Sequence, residues 1–201
     1  MARLKQDTWQ PLAIDEIKDP IIFVVDMVNG FVKEGALHDQ EIARLIPAQQ
    51  AVLKTLACRN VFVCDSHPPR TREFESYPPH CMIGTKEAEV VDELQPLIKY
   101  VLRKNSTNTF TAPAFEEYLD GGLDAYQDVI IMGCCTDLCI LQFALSLQAW
   151  LNEHNKSGMR VIVPVDCVDT FDSPEHSAMF WNDAALQNMA ANGICVVSSI
   201  K

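Results

Sequence analysis

The chain has 201 residues, 48% of them hydrophobic, and its 27 acidic side chains outnumber 16 basic ones to leave a net charge of −11. That length suffices for one domain with a core of its own. The acidic balance argues against nucleic acid or an anionic membrane surface as a partner, and no run reaches the roughly 18 uninterrupted apolar residues of a membrane span.

Eight cysteines could suggest disulfides, but Cys58, Cys64, Cys134 and Cys195 sit in or beside apolar runs. The opening residues M-A-R-L-K-Q-D-T-W-Q-P hold no apolar stretch of signal-peptide length. Reduced thiols in a cytoplasmic protein are therefore expected. No CxxC pair occurs, which speaks against a zinc ribbon.

Residues 1–19 are polar and mixed and read as an N-terminal extension to a domain spanning 20–201. Pro20 to Val25 (P-I-I-F-V-V) is the first predicted strand and ends at Asp26. Helical spacing follows from Gln40 to Ala57, then a second strand from Asn60 to Cys64 ending at Asp65. A loop with four prolines, Ser66 to Thr85, leads into a short amphipathic helix predicted to end near Leu94. The third strand runs from Ile98 to Leu102 and ends near Lys104; residues 105–123 form a loop with a short helix. The run Val129 to Met132 is the fourth strand, broken by Gly133 and followed by an apolar helix from Leu138 to Leu151. Arg160 to Val165 is the fifth strand, Pro174 to Asn192 a helix and Ile194 to Val197 the sixth strand. Short apolar strands alternating with helices indicate an α/β domain: a doubly wound, Rossmann-like three-layer sandwich on a six-stranded, mostly parallel sheet.

Ligands of such folds bind outside the carboxyl ends of the strands. Those ends carry Asp26, Asp65 with His67, Lys104, Cys139 and Asp166, so acid, base, nucleophile and metal-ligand types converge on one edge. Cys139 falls in the first turn of the fourth strand's helix, where free N–H groups and the helix dipole are expected to lower a thiol's pKa. Asp26 closes an apolar run and should be desolvated, which raises a carboxyl toward the range of a general base. Lys104 can hold that carboxylate in place. An Asp–Lys–Cys set of this kind suits acyl transfer through a thioester.

The loop after the second strand reads D-S-H-P-P-R-T-R-E-F-E-S-Y-P-P-H. Asp65 and His67 lie two apart at a strand end and can share a side. His80 returns after a proline-rigid turn, with Glu73 and Glu75 between. Mixed imidazole and carboxylate ligands suit zinc, iron or manganese.

Five motifs carry a resemblance: V-V-D-M-V-N-G-F, D-S-H, Y-P-P-H, K-N-S-T-N-T-F and G-C-C-T-D-L-C. In this order and spacing the chain resembles the nicotinamidases of the isochorismatase-like cysteine hydrolase superfamily. The resemblance implies a metal-dependent conversion of nicotinamide to nicotinic acid and ammonia, within NAD salvage. Cys139 would be the nucleophile, Asp26 the general acid/base and Lys104 the electrostatic support. It further implies a cis peptide between Cys134 and Cys135, which aims the N–H of Cys135 to join that of Cys139 as an oxyanion hole. Asp65, His67, Glu73 and His80 would hold one divalent metal, zinc first, with Glu75 in reserve for Glu73. Phe31, Tyr77 and Cys134 would contact the substrate. Some members carry histidine at the Glu73 position, or an aromatic where Thr107 stands, which bears on the fourth ligand and on substrate breadth. A homo-oligomer is expected, since the apolar helix from Leu138 to Leu151 suits an interface as well as a core.

A metal-free amidase or isochorismatase of the same fold is the alternative enzyme; the D-x-H…H loop and Cys139 argue against it. A cysteine-based sensor would need neither Asp26 nor Lys104.

Overall fold

The computed structural model describes residues 9–201. Seven parallel strands form one sheet: β1 (Pro20–Val25), β2 (Arg59–Asp65), β3 (Tyr100–Lys104), β4 (Asp128–Cys134), β5 (Arg160–Pro164), β6 (Val168–Asp169) and β7 (Cys195–Val197). Their spatial order is β3-β2-β1-β4-β5-β7, with β6 paired to the end of β4. Among the described residues four α-helices accompany them: α1 (Asn29–Val32), α2 (Ile46–Leu56), α3 (Leu141–Glu153) and α4 (Ala178–Ala191). The order runs one way from β1 to β3 and the other way from β4 to β7. Right-handed crossovers then place α2 on one face and α3 and α4 on the other. Between β1 and β4 the winding reverses, and a crevice opens outside their carboxyl ends.

Continuous apolar runs make central strands: Ile21 to Val25 and Val129 to Met132 are fully buried. Phe23 projects into an edge-to-face cluster with Phe115, Tyr118 and Phe143, at centroid distances of 5.3–5.7 Å. The glycine that ends the fourth apolar run is forced by space. At φ +130° Gly133 passes so close to β1 that a Cβ would lie 1.9 Å from the Val25 carbonyl oxygen.

The six expected strands form the continuous path of the sheet, and a two-residue strand, β6, pairs beside it. Two expectations are corrected. Between Ser66 and Lys99 the chain forms no α-helix: the stretch predicted to be helical up to Leu94 holds one 3-10 turn at Lys86–Ala88, and a second follows at Gln95–Leu97. Its β-branched Val90 instead makes an antiparallel bridge to Val28, and Pro96 opens the next turn. The helix following β4 starts as a π turn, Thr136–Ile140, before α3 begins at Leu141. In the stretch read as an N-terminal extension, Leu12 is buried and pairs with Ile200.

Candidate active site

Strand register brings the charged residues together. Asp65 ends β2 directly opposite Lys104 at the end of β3. On the other side of β2, Val25 pairs with Val63, and the chain then turns at Asp26 with φ 55°. Aspartate tolerates that left-handed conformation better than most residues. The Asp26 side chain folds back so that its Oδ1 accepts from the Asp65 backbone N–H at 2.9 Å. Lys104 Nζ sits 2.7 Å from Asp26 Oδ2, pairs with Asp65 Oδ1, and lies 3.9 Å from Cys139 Sγ. All four side chains are buried.

Burial of three charges in so small a volume sets their protonation. Desolvation, followed by the neighbouring Asp65 carboxylate, raises Asp26 to about 6. Burial acts on Asp65 in the same direction, but Lys104 and the nearby imidazoles of His67 and His80 outweigh it and hold this carboxyl well below the usual range. Lys104 is kept a cation because Asp26 and Asp65 more than offset its own desolvation. The Cys139 thiol goes against expectation. Its burial pushes the pKa well above the ordinary value and the nearby Lys104 does not compensate. The resting sulfur is therefore a thiol, and a nucleophile arises only if a base takes its proton; Asp26 is the carboxylate suited to accept it.

On the β4 side, the Cys134–Cys135 peptide is cis. The Cys134 thiol donates to the Asp26 carbonyl oxygen at 3.2 Å, tying β4 to the turn at Asp26. Beyond it the Cys135 carbonyl accepts from Leu138 and Ile140 N–H groups, and this turn presents Cys139.

Asp65, His67 and His80 bring ligand atoms within 4.8 Å of one another, and all three are buried. Asp65 Oδ2 lies 3.6 Å from His67 Nε2 and 3.7 Å from His80 Nε2. The imidazoles are oriented from behind: His67 Nδ1 faces Asn105 Oδ1 at 2.9 Å, and His80 Nδ1 faces the Pro78 carbonyl at 2.8 Å. An Nδ1–H that donates to an oxygen leaves the Nε2 lone pair free for a metal. His67 Nε2 is buried with no hydrogen-bond partner, which fits a site shaped for a cation. Glu73 stands outside the three-residue cluster, half-buried on the wall of the same cavity, and Glu75 is exposed.

That cavity measures about 660 Å³. Cys134, Cys135 and Cys139 line it together with Asp65 and His80, and Phe31 and Tyr77 form part of its wall. Phe31, Phe74 and Tyr77 surround His80 with ring centroids 5.5–6.2 Å away. Asp166, placed on the ligand edge from sequence, does not line the cavity; its N–H bonds to the Ser198 carbonyl instead. Sequence reasoning missed Asn105, Phe74 and Phe171. Asn105 directly follows Lys104 in the K-N-S motif and was a recoverable signal; Phe171, far along the chain, carried none.

A family profile described as the Isochorismatase domain matches residues 20–198. The chain belongs to the isochorismatase family. Among its curated relatives, Nicotinamidase 1 of Arabidopsis thaliana is 27% identical over 86% of this chain and 78% of that protein. Nicotinamidase of Acinetobacter baylyi is 26% identical, over 94% and 96% of the two chains. Among solved structures, the pyrazinamidase of Pyrococcus horikoshii in complex with zinc is 25% identical, with a TM-score of 0.67 over 89% of this chain and 98% of that one. This member of the family thus keeps the fold of amide hydrolases over nearly its whole length.

Proposed function

We propose that the protein is a metal-dependent nicotinamidase, hydrolysing nicotinamide to nicotinic acid and ammonia. The enzyme is a hydrolase of an amide C–N bond. The observation that carries the reading is that the buried Asp26–Lys104–Cys139 set joins the Asp65–His67–His80 cluster through the Lys104–Asp65 pair, beside a cavity that Asp65, His80 and Cys139 line. The two nicotinamidase relatives support the same substrate.

Asp65, His67 and His80 would hold one divalent ion, with Glu73 as the proposed fourth ligand; the zinc of the Pyrococcus relative favours zinc over iron or manganese. When bound, that ion would supply a Lewis acid to anchor the heterocycle. Phe31 and Tyr77 flank the ring and Cys134 completes the contact, which leaves the carboxamide facing Cys139.

Asp26 removes the Cys139 proton as Sγ attacks the amide carbon. Lys104 compensates the carboxylates on either side of it and keeps Asp26 oriented. Negative charge on the carbonyl oxygen is met by the N–H groups of Cys135 and Cys139. Asp26 returns the proton to the amide nitrogen, the C–N bond breaks, and ammonia leaves a thioester on Cys139. Water then attacks that thioester, Asp26 takes a proton from it, and the acid departs as the thiol is restored. Small-molecule chemistry of this kind needs no nucleic acid or membrane partner.

Ammonia release from nicotinamide by the purified protein tests the reading. Turnover that is abolished by Cys139→Ala, with the fold unchanged by circular dichroism, is the expected result. Full activity in Cys139→Ala would remove the thioester mechanism.

A further inference from the structure

One wall of the cavity is built from a segment that the chemistry above leaves unused. After β6 the chain runs through Phe171 and Asp172, both of which line the cavity, and reaches α4 at Ala178. The Phe171 ring stacks on His176 at a centroid distance of 3.9 Å and an interplanar angle of 12°. His176 in turn stacks on Trp181 at 5.4 Å and 9°. The three rings form a tier, with Phe171 innermost.

This tier is fixed at several points. His176 Nδ1 faces the Phe171 carbonyl at 3.0 Å, and its Nε2 lies 2.8 Å from Asp137 Oδ2, two residues before Cys139. Ser173 and His176 exchange backbone hydrogen bonds at 3.0 and 3.1 Å, closing a tight turn. Asp39 Oδ2 accepts from the Asp172 N–H at 3.2 Å, joining the tier to the wall contributed by Leu37 to Gln40. A loop phenylalanine without such bracing would yield to a bulky ligand. Here the ring is backed by two others, and His176 is itself held to Asp137 in the turn that carries Cys139.

We propose that Phe171, held by His176, determines specificity, limiting how large a ring carboxamide can reach Cys139. The inference rests on the amidase reading and deepens it. Leu37 and Leu138 border the same space, and where Thr107 contributes a small side chain to the lining the ring tier sets the limit. Preferred substrates are single-ring carboxamides, and substituted or fused rings are excluded by contact with Phe171. His176 acts as a positioning residue, since the ring stack and the Phe171 carbonyl connect it to the wall.

The test compares kcat/KM for nicotinamide, 5-methylnicotinamide and quinoline-3-carboxamide in the metal-loaded protein. Phe171→Ala should raise the ratio for the larger amides over nicotinamide by about tenfold, the scale of one methylene-sized change in a pocket. His176→Ala should shift the ratio in the same direction by a smaller factor. Phe171→Tyr, which keeps the ring, should retain the native ratio. Unchanged ratios in both alanine variants, with the unmodified protein active on nicotinamide, would overturn the wall and leave the amidase reading standing. An unmodified, metal-loaded protein that releases no ammonia from nicotinamide would overturn that reading and this inference with it.

Discussion

Asp26, Asp65 and Lys104 show how one residue type takes two roles within a few ångströms. Two buried carboxylates share one ammonium, so their affinities for protons separate: Asp65 stays ionised while Asp26 rises to about 6. A general base works only when deprotonated, and a raised pKa means that protons claim it earlier as the pH falls. The acid limb of kcat/KM should therefore have an apparent pKa near 6 and flatten above it; an acid limb near 4 would contradict the assignment. Asp26→Asn should lower kcat by about 100- to 10,000-fold, the usual worth of a positioned acid/base, with nicotinamide KM little changed. Asn105 acts at one remove, through the ring of His67. Asn105→Ala should weaken metal binding about 10- to 100-fold in a chelator competition titration, and unchanged affinity would deny it that role. Much at this scale was legible from sequence, because strand ends are where buried chains release polar groups. The Cys139 thiol was misjudged: dipole and N–H arguments favour the thiolate, but burial costs more than they return.

At the scale of elements, the site depends on how the end of β4 is held. Gly133 has no room for a side chain beside Val25, and backbone forms the obstruction. Gly133→Ala should cost roughly 4 kcal/mol or more, seen in urea unfolding, because both the positive φ and the contact must be relieved by moving strands. A loss below about 1 kcal/mol would show that β1 and β4 adjust freely. On the far side, β6 pairs Asp169 with Cys134. The buried Asp169 carboxylate accepts from Arg44, Asn182 and the Thr170 N–H, tying three elements behind the strand that leads to Cys139. A two-residue strand leaves no periodic signature, so β6 was invisible in sequence. The segment up to Leu94 failed for a related reason. Its amphipathic pattern suggested a helix, but the buried residues there sit in an isolated bridge and 3-10 turns, in a chain already punctuated by prolines.

For the whole molecule, one winding reversal concentrates the chemistry. Residues from β1, β2, β3 and β4, separated by more than 100 positions, meet because the strand order brings their carboxyl ends side by side. Alternation of apolar runs and helices was enough to read that architecture, since a parallel sheet covered on both faces has a continuous apolar signature. It could not reveal Phe171, whose place depends on how the chain after β6 folds over the crevice. No helix among the described residues is long and apolar enough to cross a membrane. The measurement that tests the central claim most directly is ammonia release from nicotinamide before metal removal, after thorough chelation, and after zinc is restored. Turnover that vanishes with the metal and returns with it is the predicted result, whereas undiminished turnover in metal-free protein would contradict the role given to Asp65, His67 and His80.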